Sequence, residues 1–312
     1  MKFRVISDIH LDINERHTPS FNDDVFTLVC GDTSGYPEKT IEWLKDNIKH
    51  GIGISGNHLP YNDSFAPIQT FRDMLHKSFP ENSNFTYFDA ECGVVSKEVN
   101  GILFVGSCFY SDMRITSDVN LKGDIERNKS ISLKHMNDYR YGIKEIKDGV
   151  ARRVTPADYI EWNTHALEMF EKVISENETL NNPKPVVVMT HYPMVRDILE
   201  HSFYVDKDNF PSYGNDMISW FEKHPSIKCH CCGHCHDMEK NYRYFKIPRK
   251  CGDLLIVNNS FGYYHNWHDL TFNPNRFVDT DIWEVEEIPE SAEVIEEKKQ
   301  RGERMRDVLA WF

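Results

Sequence analysis

Five short apolar runs in this chain each stop at a small set of Asp, His or Asn residues, and this repeated ending constrains the fold more than any other feature. Residues 3–6 run into Asp8-Ile9-His10, and residues 25–30 into Gly31-Asp32. Residues 51–54 run into Gly56-Asn57-His58, residues 186–189 into Thr190-His191, and residues 227–232 into Gly233-His234-Cys235-His236. Apolar runs of this length suit buried strands. In open α/β sheets, ligands lie beyond the carboxyl ends of the strands, so the five endings are expected to converge on one polar site.

The segments between these runs alternate in period. Residues 39–50, 68–77 and 156–176 carry apolar residues at helical spacing, the last with Thr155 as a candidate cap. Asn100-Gly101 between two apolar runs, 94–99 and 102–105, is a strong hairpin signal. Residues 217–223 read as helix, and 242–247, 254–257 and 281–286 as strands. Residues 110–155 are polar and mixed in charge, which suggests an insertion or lid. A charged helix closes the chain at about 290–312, with Val308, Leu309, Trp311 and Phe312 as apolar positions suited to the domain edge or a partner subunit. Strands alternating with helices and followed by hairpins indicate a layered α/β fold.

Asp and His are ligands for divalent first-row metals, and Asn offers a neutral amide oxygen. In Asp8-Ile9-His10 and in His234-Cys235-His236 the two ligands are two residues apart, on one side of an extended backbone. Glycine before Asp32, Asn57 and His234 suits sharp turns and close approach. Single fragments say little: Gly-Asp also occurs at 123–124 and 252–253, and Thr-His at 164–165. Only 31–32 and 190–191 follow strong apolar runs, and all five fragments fall in one order.

That ordered set resembles the calcineurin-like metallophosphoesterase superfamily, with its pattern D-x-H, G-D, G-N-H-[D/E], H, G-H-x-H. The match runs from Asp8 to His236, about three quarters of the chain. The resemblance implies a single domain over residues 1–312, built as a four-layer α/β/β/α sandwich with residues 110–155 near the site mouth. It implies one metal ion held by Asp8, His10, Asp32 and His236, and a second held by Asp32, Asn57, His191 and His234. The two ions would lie roughly 3.5–4 Å apart, with a bridging hydroxide as nucleophile. His58 would stabilise the phosphoryl oxygens or protonate the leaving alkoxide. The family often has an acidic residue after that histidine, whereas this chain has Leu59, and Asp12 or Asp63 are candidates to replace it. Met136-Asn137-Asp138-Tyr139-Arg140 resembles a segment of bacterial and phage members, and it makes Asn137 and Arg140 candidate substrate contacts, ahead of Arg114 and His135. Residues 258–263 resemble a loop at the site edge, with Asn259, His265 and His268 after the last ligand motif.

The expected reaction is hydrolysis of a phosphate ester on a small or nucleotide-like substrate, leaning to a diester. The cofactors are two divalent ions, with mixed N/O ligation suiting Mn, Fe, Zn or Ni, manganese foremost. The net charge of −13 disfavours non-specific binding to nucleic acid or anionic membrane. No export signal or membrane-length apolar run is apparent, so a cytoplasmic location without disulfides is expected for the eight cysteines. Cys232-Gly233-His234-Cys235-His236 satisfies the haem-attachment pattern, but that chemistry needs export, and haem is not expected. Cys229, Cys231, Cys232 and Cys235 lack paired zinc knuckles and read as buried thiols. Oligomeric state is open. The rival functions are a non-catalytic scaffold, which would lack ligands, and a nuclease-type member, which would need a basic groove.

Overall fold

A strand buried at every position must lie between two layers, and Val186–Thr190 is such a strand. Its surroundings are given by a computed structural model, which describes all residues except 15–17, 62–65, 81–82, 116–123, 141–142, 204, 206, 264–270 and 310–312, with residues 301–309 described in backbone only. In chain order the strands are β1 (Lys2–Ile6), β2 (Phe26–Cys30), β3 (Gly51–Ile54), β4 (Phe85–Phe88), β5 (Ser96–Val99), β6 (Ile102–Ser107), β7 (Lys144–Lys147), β8 (Val150–Arg153), β9 (Val186–Thr190), β10 (Ile227–Cys232), β11 (Tyr244–Ile247), β12 (Leu254–Asn258), β13 (Arg276–Asp279) and β14 (Glu284–Glu287). One six-stranded sheet has the order β14-β13-β1-β2-β3-β4, the other β11-β12-β10-β9-β6-β5, and β7 and β8 form a separate hairpin.

The two sheets pack face to face. Phe3, Val5, Leu28, Ile52 and Phe88 of the first meet Phe104, Val187, Met189, Cys231 and Val257 of the second. Helices Pro37–Asn47 and Ile68–Ser78 cover the outer side of the first sheet through Trp43, Leu44, Phe71 and Leu75. Helix Pro156–Glu178 covers the second through Ala166, Phe170 and Ile174. The result is the four-layer α/β/β/α sandwich. The Thr155 cap is as expected: Asp158 accepts from the Thr155 backbone N–H at 2.8 Å and from its hydroxyl at 2.7 Å. Asn100 and Gly101 both take positive φ, 51° and 76°, as a two-residue hairpin turn requires.

Strands β1 to β4 run parallel, as do β6, β9, β10 and β12. Their registers bring the ends level, with Ile6 beside Val29, Cys30 beside Ile54, and Met189 beside Cys231. Past the strand ends, Phe261 N–H donates to the Ser7 carbonyl at 2.8 Å and Gly262 N–H to that of Asp8 at 2.9 Å. The chain leaving β12 thereby stitches the second sheet to the end of β1.

Some elements differ from the sequence expectation. Residues 217–223 form only the short helix Ile218–Phe221, and the strand expected at 281–286 starts at Glu284. Residues 110–155 are not featureless: they give helices Ile125–His135 and Asn137–Arg140 and the β7–β8 hairpin. Met113, Met136, Tyr139, Ile143 and Val154 from this segment pack against Tyr159 and Trp162 of the long helix. The final helix, Ala292–Leu309, is tied down by Lys298, which donates to the Phe272 carbonyl at 2.5 Å and to Glu290. The side chains of Val308, Leu309, Trp311 and Phe312 lie outside the described residues. Among the described residues no helix is long and apolar enough to cross a membrane.

Phe104 is fully buried between the sheets, with its ring centroid 5.7 Å from Phe3 and 5.4 Å from Phe26. Phe104→Ala is expected to lower unfolding free energy by about 3–5 kcal/mol. In urea titrations this would show as a lower midpoint with an unchanged slope.

Candidate metal centre

The level strand ends force the backbone into tight turns. Asp8, His10, Asp32 and His234 all sit at positive φ (55°, 48°, 50° and 66°), a region that costs a residue with a Cβ of order 1–3 kcal/mol each. Backbone bonds hold these turns: Asp8 N–H to the Gly31 carbonyl at 3.0 Å, His10 N–H to that of Asp32 at 3.0 Å, and Gly233 N–H to that of His191 at 3.1 Å. The three glycines expected to make turns do more than that. A Cβ on Gly31 would lie 2.5 Å from His191 Nδ1, one on Gly56 2.0 Å from Asp32 Oδ1, and one on Gly233 1.9 Å from Ser7 Oγ. Each glycine therefore admits a side chain from another strand end.

All seven expected ligands and His58 are brought together. Among the described residues, two groups have ligand atoms within 4.8 Å of one another: His10 with Asp32 and His58, and Asp32 with His191 and His234. Asp32 belongs to both. Asp8 Oδ1 is 3.8 Å from His10 Nε2, and the Asp8 carboxylate accepts the His234 backbone N–H at 3.1 Å. Asn57 Oδ1 is 3.0 Å from His191 Nε2. The His236 ring lies 5.5 Å from that of His10, with Tyr263 4.7 Å from each. The His58 ring stacks on Tyr61 at 4.1 Å, and the His58 backbone N–H donates to Asp32 Oδ1 at 2.9 Å.

The electrostatics suit cations. Burial opposes ionisation of Asp32, but His191, His58 and His10 around it hold its carboxyl well below the usual range. Burial also opposes protonation of His191, yet Asp32 pushes that imidazole up to about 9. Burial holds His10 and His234 well below the ordinary imidazole range, so both stay neutral, the form that binds metal. His191 Nδ1 lies 2.9 Å from the Cys30 carbonyl, a bond that leaves Nε2 facing Asp32 at 3.2 Å. Among the described residues, both ring nitrogens of His10, Nδ1 of His58 and Nε2 of His234 are buried without a hydrogen-bond partner. Buried polar atoms are rarely left so; one His10 nitrogen and His234 Nε2 are suited to face a cation.

Several residues were not picked out by sequence reasoning. Asp138 is buried, and its Oδ1 accepts from Asn57 Nδ2 at 2.9 Å and from the Tyr61 hydroxyl at 3.0 Å. It comes from the 136–140 segment, where Asn137 and Arg140 were the candidates; both of those side chains are exposed. No periodicity singles out Asp138, because its helix is only four residues long. Tyr192, 4.1 Å from the His234 ring, was also missed. Leu59 is buried in the helix-side core, Asp12 accepts from Gly35 N–H at 3.1 Å, and Asp63 lies outside the described residues, as do His265 and His268. Asn259 is buried and donates to the Val5 and Asn273 carbonyls, away from the ligand cluster. Arg114 and His135 are exposed. The cysteines divide across the sheet, Cys229 and Cys231 on its inner face and Cys232 and Cys235 on its outer one.

No family model and no curated protein matches the sequence. Among solved structures, the crystal structure of a phosphopantetheinyl hydrolase from Mycobacterium tuberculosis superposes with a TM-score of 0.54 at 16% identity, covering 84% of this chain and 89% of that one. A dimetal phosphatase from Danio rerio gives a TM-score of 0.46 at 13% identity, covering 83% of this chain and 86% of that one. The first of these supports the fold alone: this chain shares the layout of two six-stranded sheets packed between helices, the four-layer α/β/β/α sandwich.

Gly56→Ala places a methyl group on the Asp32 carboxylate. The variant is expected to stay folded by circular dichroism but to bind manganese at least about 10-fold more weakly than wild type, by analogy with disturbed ligand support at other metal sites. Isothermal titration of the metal-free protein checks this.

Proposed function

We propose that the chain is a dinuclear metal-dependent phosphoesterase acting at the strand-end cluster. The observation that carries this reading is the pair of ligand groups sharing Asp32, set among buried imidazole nitrogens that have no hydrogen-bond partner among the described residues. In this assignment Asp8, His10, Asp32 and His236 hold one divalent ion, and Asp32, Asn57, His191 and His234 hold the other. The ions are drawn from Mn, Fe, Zn and Ni, with manganese favoured by the histidine, carboxylate and amide ligands without thiolate. When bound, they would lower the pKa of water to give a nucleophile near neutral pH and would polarise the phosphoryl oxygens.

The chain's own groups set the rest. His191, with Nδ1 held by the Cys30 carbonyl and its imidazole pushed up to about 9 beside Asp32, would release its Nε2 proton when that nitrogen takes up an ion. Asp8, anchored by Ser7 Oγ at 2.5 Å and by the His234 backbone N–H, keeps the first and last motifs in register. His58 is only partly buried, unlike Asp8, His10, Asp32, Asn57 and His191. That opening suits a group that meets substrate, and we assign it to stabilising a phosphoryl oxygen or protonating the leaving alkoxide. Asn137 and Arg140, exposed on the segment that carries Asp138, are assigned to contacts with the leaving group. A histidine proton donor favours a poor, alkoxide-type leaving group, and we therefore place a phosphodiester of small or nucleotide-like character ahead of a monoester. The net charge of −13 supports a small substrate over duplex nucleic acid.

Metal analysis paired with a screen of aryl mono- and diesters under Mn, Fe, Zn, Ni and Co tests the assignment. Wild type is expected to hold two ions and hydrolyse the diester faster. Asp32→Asn is expected to lose both metal and activity. A protein with fewer than two ions and no hydrolysis under any metal would establish the scaffold reading instead. His58→Ala is expected to lower kcat by on the order of 10²–10⁴-fold with both ions retained. Loss of metal in step with activity would make His58 a ligand.

A further inference from the structure

An asparagine ligand has a weakness that a carboxylate lacks. Its two amide ends are nearly identical in shape, and only the oxygen can face a cation. Something must decide which way Asn57 points. The groups around its nitrogen end are Asp138 Oδ1 at 2.9 Å and the Tyr61 hydroxyl at 2.9 Å, which are themselves 3.0 Å apart. Asp138 Oδ1 accepts from both the Tyr61 hydroxyl and Asn57 Nδ2, so it takes the NH₂ end. The oxygen end is then left beside His191 Nε2, at 3.0 Å, on the side of the Asp32–His191–His234 group.

The same three-cornered contact reaches a second residue. Tyr61 donates to Asp138 and stacks on the His58 ring with 27° between planes. One buried carboxylate therefore fixes the amide of Asn57 directly and the imidazole plane of His58 through Tyr61. No carboxylate follows His58 in the chain, where Leu59 is turned into the core. Asp138 comes instead from the short helix Asn137–Arg140, about 80 residues further on.

We propose that Asp138 is a positioning residue that locks the Asn57 amide with its oxygen towards the second metal position, so that the 110–155 segment completes the metal centre instead of merely covering it. This rests on the dinuclear reading above. The role makes a demand that simple packing does not: the acceptor must face Asn57, and exchanging the two side chains must preserve the pairing. With aspartate at 57 and asparagine at 138, the amide at 138 donates to one oxygen of the carboxylate at 57 and leaves the other for the cation.

The experiment is titration of the metal-free full-length protein with manganese alone, followed by calorimetry and bound-metal analysis. Wild type is expected to take two ions. Asp138→Leu, of similar size but without an acceptor, is expected to keep one ion near wild-type affinity and bind the other about 10–100-fold more weakly, the usual loss on removing a ligand's hydrogen-bond partner. Asp138→Asn keeps an acceptor oxygen and is expected to recover most of that loss. Asn57→Asp alone sets two carboxylates against each other and is expected to lose the second ion, whereas the exchange N57D/D138N regains it. Should Asp138→Leu fail to fold, the exchange pair still decides, because both groups remain. Two ions bound with wild-type affinity in Asp138→Leu, or no regain in the exchange, would overturn the proposal while leaving the dinuclear reading intact. A wild type that takes fewer than two ions would remove that reading first.

Discussion

Close approach between strand ends is the constraint on which the rest of this molecule depends. Eight polar side chains can share one site only if the backbones carrying them come nearly into contact, and at Gly31, Gly56 and Gly233 they do. A methyl group at any of these positions would overlap a side chain arriving from another strand, an imidazole at Gly31, a carboxylate at Gly56 and a hydroxyl at Gly233. The face-to-face packing of the two sheets and the level registers of their parallel strands provide the frame. The glycines let the frame close.

That closure has an electrostatic cost. Neutral imidazoles at His10 and His234 and an ionised Asp32 are held in a buried space, with ring nitrogens that no described residue satisfies. Four non-glycine residues at positive φ add backbone strain at the same place. Strain and unpaired polarity concentrated in one spot, while the surrounding core is closely packed, mark a site kept for chemistry rather than stability. Cation binding would offset both, so the folded state and the loaded site are thermodynamically linked.

Much of this was legible in the sequence, for a specific reason. Buried parallel strands are continuous apolar runs, so their ends are sharp, and a polar cluster at a sharp end is easily seen. The Asn100-Gly101 turn and the Thr155 cap were legible for the same kind of reason, since each depends on local chemistry. What escaped was set by tertiary contact. The 110–155 segment reads as polar, yet it buries Met113, Met136 and Tyr139 against a helix supplied by later sequence. Asp138 was adjacent to two candidates and passed over, because nothing local distinguishes a buried aspartate from an exposed one in a four-residue helix.

The stitch between Ser7–Asp8 and Phe261–Gly262 bears on how the protein acquires its site. The candidate ligands span residues 8 to 236, and the backbone of Phe261 and Gly262 that braces Ser7 and Asp8 arrives only after β12. A nascent chain emerging from the ribosome at β4 carries the first four candidate ligands and His58 with no second sheet to oppose them. Contacts between segments this far apart in sequence form slowly, because long loops must close before any stabilising contact is gained. The full set of candidate ligands is therefore assembled late, once the second sheet has docked and the chain past β12 has closed on Asp8.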